Sequence, residues 1–245
     1  MSSDLPARPP SSTSSKAAPQ FQYRGHDLLD LLKDARNYNR WLTDQVLAAR
    51  PPRAVKIADL GAGRGTFAEM LRDRGVSVTC IEPDAGNQVA LQQLGFCVEP
   101  SISDCELRSL DYVYTLNVLE HVPDGESLLQ SVFSRLREGG RLFVFVPAFP
   151  VLWSRLDDYV EHQRRYRRKP MIEMLERCGF MVEKARYADS LGFFAALLFG
   201  RSKETEITAR SIAMYDRLLF PVSRALDPLL GRFFGKNLAV TCRKP

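Results

Sequence analysis

Gly61, Gly63 and Gly65 occupy alternate positions in the stretch KIADLGAGRGTF (residues 56–67), directly after an apolar run that ends in Asp59. Glycine carries no Cβ, tolerates the left-handed torsions of a tight turn and, ahead of a helix, leaves backbone amides free to meet an anionic group. About twenty residues on, Glu82 closes the next apolar run, where a carboxylate can accept hydrogen bonds from both hydroxyls of a ribose. The pair favours an adenosine-containing ligand, and the negative charge disfavours a 2′-phosphate. A nicotinamide dinucleotide would ask for G-x-G-x-x-G. Here that last position is Thr66 and the third glycine comes one residue early.

These residues need elements to hold them. Residues 55–60 read as a buried strand, 66–74 as a helix closed by Gly75, and 76–81 as a second buried strand, which makes a parallel pair. The rhythm continues with a helix at 87–94, strands at 96–98 and 112–116, an amphipathic helix at 126–136 ended by Gly139 and Gly140, and a strand at 142–146. A leading helix at 26–50 stops at Pro51 and Pro52; a helix at 171–178 and strands at 181–187 and 238–242 follow. The expected fold is a doubly wound, Rossmann-like α/β sheet of seven mostly parallel strands. The long gap before the last strand contains helical patterns at 207–220 and 222–234, so residues 188–237 are expected to form an inserted helical cap.

The chain has 245 residues, 45% of them apolar, enough for one sizeable core. The formal charge of +5 is uneven: residues 161–245 hold 17 Lys/Arg against 9 Asp/Glu, while residues 1–160 hold 17 against 20. That surplus could meet phosphate or an anionic membrane, but no aromatic RNA-binding strand, zinc-finger spacing or basic tail accompanies it, so no nucleic-acid partner is expected. Five widely spaced cysteines contain no C-x-x-C pair, which fits reduced thiols in a cytoplasmic protein. Residues 1–20 are rich in Ser, Pro and Ala and read as a disordered tail ahead of one domain at 21–245. The most apolar segment, LGFFAALLF at 191–199, is half of the roughly 18 to 20 residues that span a bilayer. No metal-ligand cluster stands out.

Through ADLGAGRG (58–65), IEPD (81–84) and TLNVLEHVPD (115–124) the sequence resembles the class I S-adenosylmethionine-dependent methyltransferases, from about Tyr38 to Lys244. The resemblance implies S-adenosyl-L-methionine as cofactor. Gly61, Ala62, Gly63 and Gly65 would line its methionine part, with Asp59 organising the amino end. Glu82 would take the ribose, Pro83 the flank of the adenine, and Ser101 and Ile102 its edge. Asn117 and Val118 would face the methionine, and Tyr38 would lie over the cofactor. Ser101 stands roughly where many relatives carry an aspartate.

A narrower resemblance, VPAFPVLWSRLDDYVEHQRRY (146–166), points to a bacterial subfamily with H-x-R-R-Y after the fifth strand. It implies Asp157, His162, Arg164, Arg165 and Tyr166 as acceptor contacts, arginine forks suiting phosphate or carboxylate. His121 and His162, imidazoles that titrate near neutrality as a residue type, are the catalytic acid–base candidates. The expected reaction is O- or N-methylation of a small-molecule acceptor, anionic or lipid- or sugar-linked. The alternatives are a non-catalytic S-adenosylmethionine-binding module and a nicotinamide-dependent oxidoreductase. Apolar residues interleaved with arginines in the cap allow contact with the inner membrane face.

Overall fold

The computed structural model describes residues 33–199 and 208–245. The expected tail, the first part of the leading helix and a short stretch of the cap lie outside these residues. Seven strands, β1 (Ile57–Leu60), β2 (Thr79–Ile81), β3 (Cys97–Glu99), β4 (Leu110–Leu116), β5 (Leu136–Pro147), β6 (Met181–Ala188) and β7 (Asn237–Arg243), form one sheet in the order β3-β2-β1-β4-β5-β7-β6. β1 to β5 run parallel, and β7 is antiparallel to both of its neighbours, β5 and β6. This is the Rossmann-like sheet expected from the alternation of apolar segments.

Period-two alternation sorts each central strand between two cores. Ala58, Leu60, Val113, Leu142, Val144 and Val146 face one side, with Leu129 and Val132 of helix α4 (Gly125–Arg135) and Met171 and Leu175 of α6 (Arg168–Arg177). Ile57, Tyr112, Tyr114, Phe143 and Phe145 face the other, with Leu42 and Val46 of α1 (Arg36–Ala49) and Ala68 and Leu71 of α2 (Thr66–Arg72). α3 (Ala85–Gln93) joins β2 to β3, and a short α5 (Arg155–Tyr159) precedes α6. Both faces are covered, as parallel strands require.

Two boundaries differ from expectation. α4 ends at Arg135, and β5 begins at once with Leu136, which pairs with Leu110 across a register shift. Gly139 and Gly140 therefore lie inside an irregular strand start and not at a helix end. The cap begins with a helix the sequence pattern did not announce, α7 (Ser190–Phe199), and continues through α8 (Ala209–Met214), a π-helical turn (Tyr215–Leu219) and α9 (Phe220–Leu230).

One buried acid ties this cap to the body, and two further acids brace it from within. Asp216, 4% exposed, accepts the backbone amides of Asn37 at 2.9 Å and Tyr38 at 2.8 Å, supplying the negative cap that the start of α1 lacks of its own. Asp227 accepts the amides of Asp189 and Ser190, both at 2.9 Å, and Asp189 accepts the hydroxyls of Tyr215 and Ser223.

Candidate active site

The strands β1, β2, β4, β5 and β6 all end on one edge, and the glycine turn, Glu82 and Asn117 follow strands that end there. After β1 the chain turns sharply: the amides of Gly61 and Ala62 donate to the carbonyl of Ile81, at 2.8 and 3.2 Å, locking the turn to β2. Gly61 has φ +80°, and a Cβ there would sit 2.2 Å from Cγ2 of Val118 on the loop after β4. The absent side chain is what lets the two loops touch. Gly63, at φ 54°, donates its amide to Oε2 of Glu82 at 2.7 Å. Oε1 of Glu82 accepts the amide of Asp84 at 3.0 Å. Glu82 is thus both the brace of the glycine turn and a carboxylate with lone pairs to spare. Burial raises its pKa, and the amides of Asp84 and Gly63 pull the other way.

Asp59, 3% exposed, lies at the inner end of the same turn, and burial pushes its carboxyl up to about 7. Pro83 is exposed, beside Asp84, which accepts the amide of Asn87 and so caps α3. Asn117 ends β4 exposed and left-handed at φ 55°, its amide held by the carbonyl of Phe145 at 2.8 Å. A non-glycine residue in that region is strained, and such strain gathers at functional turns. Tyr38 packs its ring on Phe220 at 5.2 Å, Trp41 at 6.0 Å and Phe145 at 6.4 Å. Ser101 accepts the amide of Ser103 in a local capping box, and Ile102 is packed in the core at 2% exposure. The hydroxyl of Ser101 thus serves its own turn.

The segment after β5 folds inward. Asp157 is 1% exposed, and its Oδ1 accepts from Nδ1 of His162 and Nε of Arg165, both at 2.8 Å. Oδ2 takes Nη2 of Arg165 at 3.0 Å and the amide of Ser154 at 2.8 Å. Burial alone would raise this carboxyl, but the hydrogen bonds from His162 and Arg165 win and hold it well below the usual range. Tyr166 donates its hydroxyl to the carbonyl of Leu119 at 2.9 Å, and Ala148 bridges to Tyr166 beside β5. Asp157, Arg165 and Tyr166 therefore fix the loop through inward hydrogen bonds. Arg164 spends one nitrogen on the carbonyl of Pro123 at 2.7 Å.

That inward folding assembles a group the sequence did not reveal. The rings of His121 and His162 lie 4.7 Å apart at 73°. Oε1 of Glu120 lies 3.8 Å from Nε2 of His162, and Glu120 is fully buried with neither oxygen hydrogen-bonded. Burial pushes its carboxyl up to about 8 and, with His162 adding to it, lowers the pKa of His121 to about 4. Glu120 was legible only as a letter of N-V-L-E-H; its partner His162 is 42 positions away. A motif acid followed by histidine, next to a second histidine-bearing loop, is the signal that could have found it.

A family profile described as a methyltransferase domain matches residues 30–185. Among curated relatives, a ubiquinone biosynthesis O-methyltransferase of Pseudomonas fluorescens is 31% identical over 113 residues, 42% of this chain and 47% of that one. Its counterpart in Idiomarina loihiensis is 28% identical over 101 residues, 36% and 40% of the two chains. The matched stretch spans less than half of either relative. Among solved structures, the putative methyltransferase of Haloferax volcanii in complex with its Trm112 activator superposes with TM-score 0.62 at 17% identity, over 90% of this chain and 96% of that one. A methyltransferase of Thermotoga maritima gives 0.60 at 15%, over 90% and 95%.

The chain belongs to the methyltransferase-domain family and is a class I S-adenosylmethionine-dependent enzyme. Its cofactor is S-adenosyl-L-methionine. The residues suit that group. The turn at Gly61 has no room for a Cβ, Glu82 keeps acceptor capacity at the end of β2, and Asp59 holds a buried carboxyl below the turn. Membership sets aside the nicotinamide-dependent alternative.

Proposed function

We propose that this methyltransferase methylates a hydroxyl of a bulky, apolar-tailed acceptor that it meets at an anionic membrane surface. The observation that carries the reading is a wall of aromatic rings on the same side of the sheet ends as the glycine turn. Phe149, just past β5, stacks on Tyr187 of β6 at 4.5 Å and on Phe193 of α7 at 5.2 Å. Phe193 meets Phe234 at 5.5 Å, and Phe194 meets Phe234 at 5.1 Å. These rings line the strand edge that carries Gly61 and Asn117, and they offer apolar contact and water exclusion to a large acceptor.

The cap continues this apolar surface outward. Leu198 is 71% exposed, Leu218 64%, Leu229 72% and Phe233 70%, with Arg217, Arg224 and Arg232 between them in sequence. Apolar side chains next to arginines are the pattern of a surface that lies in a lipid interface. No helix among the described residues is long and apolar enough to cross a membrane. The curated relatives' name, which pairs O-methylation with ubiquinone biosynthesis, agrees with a hydroxyl on an apolar-tailed compound.

Bound S-adenosyl-L-methionine supplies a methyl group already activated by its sulfonium. What the chain must add is placement, and holding two partners near attack geometry lowers a barrier by roughly 7 to 11 kcal/mol. The turn at Gly61 to Gly65 and Glu82 hold one partner; the aromatic wall aligns the other. Removal of the hydroxyl proton falls to Glu120 and His121, on the loop after Asn117, together with His162 from the loop after α5. The test is incubation of the untagged protein with isotopically labelled methyl donor and a total lipid extract, followed by mass spectrometry and by co-sedimentation with liposomes. Label on an alkyl ether of an apolar compound, with binding to anionic but not neutral vesicles, supports the reading. Label confined to amines or water-soluble compounds overturns it.

A further inference from the structure

We propose that Glu120, His121 and His162 form a ready-made site for one divalent ion of the zinc or cobalt kind. The ligand atoms of the three side chains all lie within 4.8 Å of one another. Tetrahedral zinc with bonds of about 2.0–2.1 Å sets its ligands about 3.3 Å apart, so the tripod needs only a modest closure of side chains. Two imidazoles and one carboxylate suit zinc, cobalt, iron or manganese, whereas magnesium and calcium ask for oxygen alone.

Two features set this cluster apart from a chance meeting of polar groups. Glu120 is 0% exposed with both oxygens lacking a hydrogen bond. A carboxylate taken out of water without a partner is costly, and an ion would answer it. In addition, the support that ligating histidines usually have is already in place. Nδ1 of His162 is tied to Asp157 at 2.8 Å, which leaves Nε2 turned toward Glu120 at 3.8 Å. Asp157 is in turn gripped by Arg165, its own side chain 1% exposed and that of the arginine 6%. Arg165 is thus bonded to Asp157, and Glu120 keeps both oxygens without a hydrogen bond inside the cluster. The side chain of His162 is 14% exposed, so the outer side of the tripod can take water or an acceptor oxygen. An ion there would acidify an acceptor hydroxyl, which gives the proton-handling cluster a specific means of action.

The experiment uses the full, untagged chain, stripped with chelator and titrated with Co²⁺, read by visible absorption and by metal analysis after dialysis. Binding of S-adenosylhomocysteine to the same samples reports the cofactor cleft separately, so loss of the ion and loss of the methyltransferase reading are distinguishable. One equivalent of Co²⁺ with d–d absorption is expected, displaced by Zn²⁺ and not by Mg²⁺. The absorption should disappear in Glu120→Gln and His162→Ala, and Asp157→Asn should weaken affinity 10- to 100-fold, as loss of a supporting carboxylate does. A second reading needs no variant: Zn²⁺ should protect His121 and His162 from diethylpyrocarbonate and leave His26, the third histidine of the chain, unchanged. No uptake of Co²⁺ by the stripped wild type, or equal modification of His121 and His162 with and without Zn²⁺, overturns the proposal and makes Glu120 a protonated acid beside His162.

Discussion

Replacement of Gly61 by alanine tests the assignment of the turn in two separable parts. The backbone at +80° is left-handed, which costs an L-residue about 1–2 kcal/mol. The new Cβ would also lie 2.2 Å from Cγ2 of Val118, well inside the contact distance of about 3.5–4.0 Å. Forced shifts of this kind cost about 1–3 kcal/mol, so the two parts together come to about 2–5 kcal/mol. Val118→Ala removes both Cγ atoms and leaves Cβ of residue 118 at 3.3 Å, a tight but bearable contact. Gly61→Ala should therefore weaken S-adenosylhomocysteine binding by more than tenfold, since about 1.4 kcal/mol is a factor of ten. Adding Val118→Ala should restore the steric part and leave the torsional part. Calorimetric titration and denaturant unfolding of the wild type, both single variants and the double variant give the cycle. Strict additivity, within about 0.5 kcal/mol, would refute the claim that the two loops meet at this missing side chain.

Two further outcomes concern buried acids. Burial raises Asp59 from 3.8 to about 7, so between those values the folded chain holds a proton the unfolded chain has released, and stability falls as pH rises through that window. Asp59→Asn should flatten this part of the unfolding profile measured from pH 4 to 8 while weakening cofactor binding; an unchanged slope would show that Asp59 does not titrate there. Asp157 has the opposite sign: its carboxyl is held low, so its contribution is present above the ordinary aspartate range and is lost on acidification below it. Asp157→Asn leaves Arg165 buried without its countercharge, which should cost about 3–5 kcal/mol at neutral pH, and a melting temperature within a degree or two of wild type would contradict the inward reading of that loop.

Local pattern was enough for the sheet because each central strand carries its own evidence. Residues 112–116 alternate between two buried faces, and the turn after β1 needs glycine where φ is positive, whatever the rest of the chain does. The cap was less legible. α7 is apolar nearly all round, so its sequence shows no face, and Asp216 in the π-helical turn at Tyr215–Leu219 accepts amides at Asn37 and Tyr38, about 180 positions away. Such contacts carry no periodic signature. The same holds for H-x-R-R-Y, which the sequence offers as acceptor contacts, since arginines are seldom inside unless paired. Arg165 is paired: Ala148 bridges to Tyr166, Tyr166 holds the carbonyl of Leu119, and Arg165 is drawn onto Asp157. The carboxylate that draws Arg165 inward also holds Nδ1 of His162 and leaves its Nε2 toward Glu120. The inward set of Arg165 and the proposed ion site therefore share one packed loop, and a substitution that freed Arg165 would have to disturb both.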